Sequence, residues 1–289
     1  MFLNFFSKNN SSRPSFGLDI SDELIKFVLL TSGKQGIRLE KYGAYKIPPM
    51  IVEHGEVKNF KSLSESLRVL RQQEGIKSVR VSLTNKEMHI FKNVAIKVLS
   101  FEPEASALAR AVIKIGDMNT YMIVDFGEKR TRICIVSRGI VVSDSIAQVG
   151  GITLTNMLQS KFNISFLEAE ELKKLYGLQR NMDNPEVSSV LLSGASILHD
   201  AIEKISLYWH MYKDEVGKKN LPIKKIILCG GDANLIGLVD YLSASLRTKV
   251  EIANVWINIL DPKKEVPQMS LSETFSFATA IGLALGNFE

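Results

Sequence analysis

The chain has 289 residues, a net charge of +5, and 45% hydrophobic and 23% charged residues, an ordinary globular composition that excludes disordered, collagen-like and coiled-coil classes. The charge excess is too small and too dispersed for a dedicated nucleic-acid binder, so no nucleic-acid partner is expected. No run reaches the ~18 apolar residues of a membrane span, and the length allows two lobes or one duplicated fold.

The tail, residues 1–15, opens with Met1, Phe2, Leu3, Phe5, Phe6 and Lys8. It has the aromatic content of an interfacial anchor but is too short and polar-flanked for a signal peptide. From Phe16 the pattern reads strand, tight turn, strand: Phe16 to Ile20, the turn Ser21-Asp22-Glu23, and Leu24 to Leu30,. A third strand runs through Ile37, Leu39 and Tyr42 to Ile47, where Pro48-Pro49 ends it,. Phe60 to Glu74 carries Leu63, Leu67 and Leu70 at helical spacing, and Gly75 supplies the stop,. Ser78 to Val94 and Ala95 to Leu99 read as further strands, and Pro103 to Ile115 as an alanine-rich helix.

The opening then repeats. Tyr121 to Asp125 turns through Phe126 to Arg130 and returns along Thr131 to Val136, followed by a strand Gly139 to Ile146 and a helix starting near Gly150-Gly151. Asp19 and Asp125 hold matching places at the ends of their first strands, which implies a duplicated α/β lobe. Ile152 to Lys219 reads as mainly helical, including Ala169 to Tyr176 and Val187 to Lys213. A strand Lys224 to Cys229 runs into Gly230-Gly231, followed by a helix from Leu235 to Leu246, a short strand Val250 to Ile252 and a helix within Phe275 to Leu285. The expected division is a first lobe 16–117 completed by 275–289, and a second lobe 118–274 with a helical insertion at about 154–222. Cys134 and Cys229 lie inside apolar runs, so neither a disulfide framework nor a zinc site is expected, and a reducing cytoplasm fits,.

Several of these segments carry chemistry. In Asp125-x-Gly127-x-x-x-Thr131 the glycine lets a hairpin backbone approach a phosphate, the hydroxyl adds a donor, and the carboxylate suits hydrated Mg²⁺,. A strand ending in Gly230-Gly231 before a helix leaves bare backbone for a nucleotide, with Asn234 in the same loop,. An ordinary glycine hairpin is the simpler explanation of the first motif, and the presence of the second weighs against it; for the second, an ordinary strand-to-helix turn stays open. Glu170 and Lys173 share one helical face, and Lys204 and Ser206 lie on the later helix; solvated helix faces account for them equally well,. Glu102 offers a carboxylate for general-base work or, more simply, a first-turn acid facing a helix dipole,.

Two strand-turn-strand units with aspartates, then a strand ending in Gly-Gly, resemble the actin and sugar-kinase ATPases. Within them the chain is most similar to the PilM family of type IV pilus assembly, with FtsA a cousin. The likeness rests on Asp125-Phe126-Gly127 with Thr131, Gln148 to Gly151, Ala169 to Lys173, Cys229 to Leu238, and Ala278 to Leu285. It implies a duplicated, ribonuclease H-like α/β fold of two lobes with a nucleotide cleft between them. It also implies ATP with Mg²⁺ as ligands, Asp19 and Asp125 holding the metal through water, and Ser21, Lys26, Gly127, Thr131, Gly230, Gly231 and Asn234 around the phosphates and base. Glu170 and Lys173 would touch the ribose, Lys204 would flank the base, and Glu102 would be the family's acidic residue before the interdomain helix. The implied setting is a cytoplasmic scaffold, peripheral at the inner membrane, with a PilN-like bitopic inner-membrane protein and other pilus-assembly proteins as partners. An active ATPase or a module without nucleotide are the alternatives.

Two departures temper this. Where the family's first loop reads Asp-Ile-Gly, here Asp19-Ile20 is followed by Ser21-Asp22-Glu23, which adds negative charge beside a triphosphate,. The inserted subdomain 1C, which the family carries between two strands of the first lobe, is missing between the strands read at 78–94 and 95–99. Turnover is therefore expected to be weak at most, and partner binding to differ in detail.

Overall fold

A computed structural model describes residues 15–33, 36–53, 55–83, 88–179, 184–212, 217–259 and 269–288. The chain divides into two compact units, Met1–Pro103 with Ala280–Glu289, and Glu104–Thr279.

In the first unit, β1 (Phe16–Ile20), β2 (Leu24–Gly33) and β3 (Gly36–Lys46) form the expected meander, followed by the small hairpin β4 (Val52–Glu53) and β5 (Glu56–Val57). Helix α1 (Phe60–Glu74) has the bounds its leucine spacing predicts. The Asn59 side chain accepts from the Ser62 N–H at its start, and Gly75, at φ 71°, ends it in a left-handed turn,. Then come β6 (Ser78–Val81), α2 (Met88–Asn93) and β7 (Lys97–Phe101). The sheet order is β3-β2-β1-β6-β7, with β1, β6 and β7 parallel. Leu63, Leu67 and Leu70 of α1 bury against Ile25, Phe27, Val79 and Val81, and Ile90 and Phe91 of α2 complete that core.

The reading of Ser78 to Val94 as one strand is corrected here. The strand ends at Val81, although buried Leu83 carries the alternation of Val79 and Val81 two residues further, and Ile90 and Phe91, adjacent in sequence, are both buried, which a half-buried strand does not allow,. Parallel neighbours need a crossover, and α2 is that crossover,. The two strands therefore do not abut; residues 82–96 connect them.

The second unit begins with α3 (Glu104–Val112), then β8 (Thr120–Phe126), β9 (Thr131–Ser137) and β10 (Ile140–Ala147). Next come α4 (Gly151–Phe162), α5 (Phe166–Tyr176) and α6 (Pro185–Met211), then β11 (Ile223–Cys229), α7 (Leu238–Leu246), β12 (Val250–Ile252) and α8 (Leu271–Ser276). Its sheet order, β10-β9-β8-β11-β12, repeats the first sheet strand for strand. Asp19 sits opposite Lys26 in one meander as Asp125 sits opposite Arg132 in the other. Where the first unit crosses from β1 to β6 with α1, the second crosses from β8 to β11 with α4, α5 and α6. The inward stripe of α6, Val187, Leu191, Ala195, Leu198 and Ile202, packs with Leu154 and Leu158 of α4 and with Ile133 and Ile135 of the sheet,.

Several helix bounds differ from expectation: α3 ends at Val112 rather than Ile115, α5 begins at Phe166 rather than Ala169, and α6 begins at Pro185 rather than Val187. Helix α7 starts at Leu238 rather than Leu235, because Gly237 at φ 78° turns the chain first. The C-terminal helix is two pieces, α8 and α9 (Ala278–Leu285), broken at Phe277, since the carbonyl of Phe275 accepts from the N–H of Gly230. Lys213, the expected end of α6, lies outside the described residues. The last turns of α9 return to the first unit. There a side chain on Gly17 of β1 would run into the backbone of Ala280 and Ala284, so the close approach of helix to sheet depends on glycine,. Asn287, just beyond, accepts from Arg80 Nε at 3.0 Å and from the Ser15 hydroxyl, and donates to the Ser15 carbonyl at 2.8 Å. Among the described residues no helix is long and apolar enough to cross a membrane.

Candidate functional site

In the second unit the strand ends of β8 and β11 assemble one group of candidate residues. Gly127 closes the β8–β9 turn by donating to the Arg130 carbonyl at 3.2 Å, and its own carbonyl accepts from Gly151 at 3.0 Å. Opposite, β11 delivers Gly230 at φ 100°, where a side chain would meet the Asp125 carboxylate at 2.5 Å and the Phe126 carbonyl. Only glycine suits that place, in conformation and in space. Gly231 differs: it is exposed, and a Cβ there would meet nothing within 4 Å. The protein itself does not require glycine at 231. A ligand lying on bare backbone would, so this shelf beside Asp125 fits the nucleotide expected from the motif. Asn234 is exposed in the same turn.

Next to the shelf lies a charged group only half visible in the sequence. Lys173, 4% exposed, pairs with Glu170 at 2.6 Å and with Asp232 at 2.9 Å, and donates to the Gly151 carbonyl at 3.3 Å. Thr155 donates to Glu170 as well. Burial is the largest influence on Glu170 and pushes its pKa up, but the hydrogen bonds from Lys173 and Thr155 together hold it below the usual range. On Asp232 burial wins and the pKa is raised, with Lys173 offsetting only part. Two carboxylates thus share one lysine unequally, and the assembly forms a polar wall at the edge of the Gly230-Gly231 turn. Asp232 was not among the expected site residues. Its position directly after the glycine pair was the available signal, but its lysine comes from α5, far along the chain.

Other candidates are placed differently. Thr131 is fully buried and its hydroxyl donates to the Val149 carbonyl at 2.6 Å, so that proton is committed inside the fold. Lys204 is exposed on α6, and among the described residues no hydrogen bond or ion pair links it to the group above. Ser206, half-buried on the same helix, gives its carbonyl to His210 Nδ1.

In the first unit Asp19 is buried in β1, with the Ser82 hydroxyl at 3.5 Å, and Lys26 stands across from it on β2. The Ser21 hydroxyl is used within the turn, donating to the Leu24 carbonyl at 3.0 Å and accepting from the Leu24 N–H at 3.3 Å. Asp22 accepts from the Gly55 N–H at 3.0 Å, which turns this carboxylate toward the β4–β5 hairpin. Glu102 accepts from Arg80 at 3.2 Å and from the Ser100 hydroxyl at 2.7 Å. A base held this way is less available to a water than the motif implied.

Comparison with known proteins bears on the family and the fold. A family model described as type IV pilus assembly protein PilM matches residues 91–288. Among solved structures, a chain of the "PilM-PilN type IV pilus biogenesis complex" is 17% identical, with 96% of this chain and 99% of that one covered at a TM-score of 0.75. MreB5 of Spiroplasma citri bound to ADP is 18% identical over 96% of each chain, TM-score 0.65. The ethanolamine utilization protein EutJ from Carboxydothermus hydrogenoformans is 17% identical over 94% of this chain and 89% of that one, also at 0.65. At such identities the structural likenesses establish the fold, which is actin-like with two mixed sheets. No curated protein sequence matches the chain.

Proposed function

The chain belongs to the PilM family of type IV pilus assembly proteins, and from that membership we propose that it is a nucleotide-binding scaffold at the inner-membrane assembly platform of a type IV pilus or a related secretion system. The observation that carries the nucleotide is the pair Gly230-Gly231: one glycine demanded by the fold, the next left open beside Asp125. ATP would lie on that backbone with Gly127 and Asn234 near it, and with Glu170 and Lys173 toward the ribose. Mg²⁺, held through water by Asp125, would supply positive charge to offset the phosphates. Relatives of the same fold bound ADP or AMPPNP when solved.

Little turnover is expected, because Glu102 is engaged by Arg80 and Ser100 rather than presented to solvent. A scaffold that binds ATP and hydrolyses it slowly uses the ligand to select a conformation, through whatever difference in affinity its states show. The partner proposed is a PilN-like bitopic inner-membrane protein, since the solved relative was a PilM–PilN complex. The location proposed is the cytoplasmic face of that membrane.

Calorimetry with Mg-ATP and a phosphate-release assay test the reading. The expected result is measurable binding, negligible release, and an affinity lowered about tenfold in Gly231→Ala with the melting temperature unchanged. Fast phosphate release abolished by Glu102→Gln would make the protein an enzyme. No heat at millimolar nucleotide would make it a module that has lost its ligand.

A further inference from the structure

The first unit holds a second site at the end of its sheet away from Asp19 and Ser21. A cavity of about 820 Å³ opens at the N-terminal ends of the parallel strands β1, β6 and β7, where helix α1 stops at Glu74-Gly75 and leaves the sheet uncovered. Its apolar wall is Phe16 and Leu29, neighbours across β1 and β2, with Leu99 of β7 39% exposed. The charges around it do not cancel. Lys41 is paired with Glu74 at 2.6 Å, and Glu40 with Arg38 at 3.5 Å. That leaves Lys77 and Lys97, which stand side by side where β6 and β7 begin, the Lys97 N–H donating to the Lys77 carbonyl at 3.0 Å. Both are exposed, and among the described residues neither has an ion-pair partner.

We propose that this cavity is a docking site for a segment of a partner protein that presents a large apolar side chain flanked by Asp or Glu. The apolar wall would take the anchor, and the two uncompensated lysines would take the acids, an arrangement in which charge selects the partner and burial of the anchor retains it. The open, lysine-rimmed shape suits a protein segment. The chain's own tail, apolar but bearing Lys8 and Arg13, has the wrong charge for the rim. Within this unit the cavity lies at the opposite strand ends from the phosphate-type loop, so occupancy does not compete with nucleotide there. The inference stands independently of nucleotide binding.

Fluorescence anisotropy with the full chain tests it, using a labelled peptide of alternating Leu and Glu and a control of alternating Leu and Lys. The acidic peptide is expected to bind, more weakly as salt rises. The double variant Lys77→Met with Lys97→Met, which keeps the aliphatic stems, is expected to weaken it about tenfold, and Leu99→Ser to weaken it by a similar factor, both with unchanged melting curves. Equal binding of the Leu–Lys peptide, or unchanged binding by the double lysine variant, would overturn the proposal. A chain lacking residues 1–12 is expected to bind as the full chain does. Binding that emerges only after this deletion would mean that the tail fills the cavity, and the proposal would fall.

Discussion

Lys173 is the residue on which most of the local electrostatics turns. Removing it while keeping Glu170 and Asp232 leaves two acids without their shared cation, one of them in a buried setting, and unpairing a buried charge costs about 3–5 kcal/mol,. Lys173→Met is therefore expected to lower stability by that order in urea titration, and adding Asp232→Asn to recover part of it. A second pair titrates. The Tyr121 hydroxyl donates to Asp117 at 2.5 Å, and that bond, with the Asn119 N–H, holds the Asp117 carboxyl down at about 2. Burial, and then Asp117, raise the Tyr121 hydroxyl to about 12. For Asp117 the folded pKa is depressed, so its stabilisation is present above the usual carboxylate value near 4 and is lost as pH falls toward 2. For Tyr121 the folded pKa is raised, so its stabilisation is full below about 10 and is lost as pH climbs toward 12. Melting temperatures across pH should show both slopes, the alkaline one absent in Tyr121→Phe and the acid one reduced in Asp117→Asn.

At the scale of elements, the hairpins and helices divide by what holds them. Helix α1 is specified locally, by a leucine stripe, an asparagine cap and a glycine stop. Helix α9 is specified by what it touches, since its residues are apolar apart from Thr279 and its place depends on Gly17 allowing the backbone of Ala280 and Ala284 to approach β1. Gly17→Ala is expected to cost about 1–3 kcal/mol or more through overpacking. Hydrogen exchange would show α9 and the Asn287 to Ser15 contact losing protection before α1 does. Equal loss in both helices would mean that the first unit opens as a whole and that α9 has no separate dependence on this contact.

For the molecule as a whole, duplication explains the architecture: two sheets of the same order, each with its aspartate at the end of the first strand, and a crossover enlarged to three helices in the second copy. The tail, residues 1–14, lies outside the described residues. Its Phe2, Leu3, Phe5 and Phe6 beside Lys8 and Arg13 motivate a weak, reversible membrane contact that needs a membrane-embedded partner as a second signal,. Deleting residues 1–12 is expected to leave the melting temperature and nucleotide affinity unchanged while lowering recovery with anionic liposomes. A lower melting temperature with undiminished recovery would show that the tail contributes to the fold instead.

The two meanders, the matching aspartates, the bounds of α1 and the glycine pair are legible in the chain alone, because each is written in local periodicity or in residues whose backbone chemistry is special. The sequence could not determine α2, since a short apolar run suits strand and helix alike until β6 and β7 are known to be parallel and to need a crossover,. Nor could it assign Thr131, Glu102 or Asp232, because a hydroxyl, a carboxylate and a lysine partner are committed by whatever packs against them. The Val149 carbonyl accepts from the Thr131 hydroxyl, Arg80 pairs with Glu102, and Lys173, brought from another helix, pairs with Asp232. Those pairings exist only once distant segments meet, so packing between segments, and not local pattern, sets which motif residues are spent holding the fold.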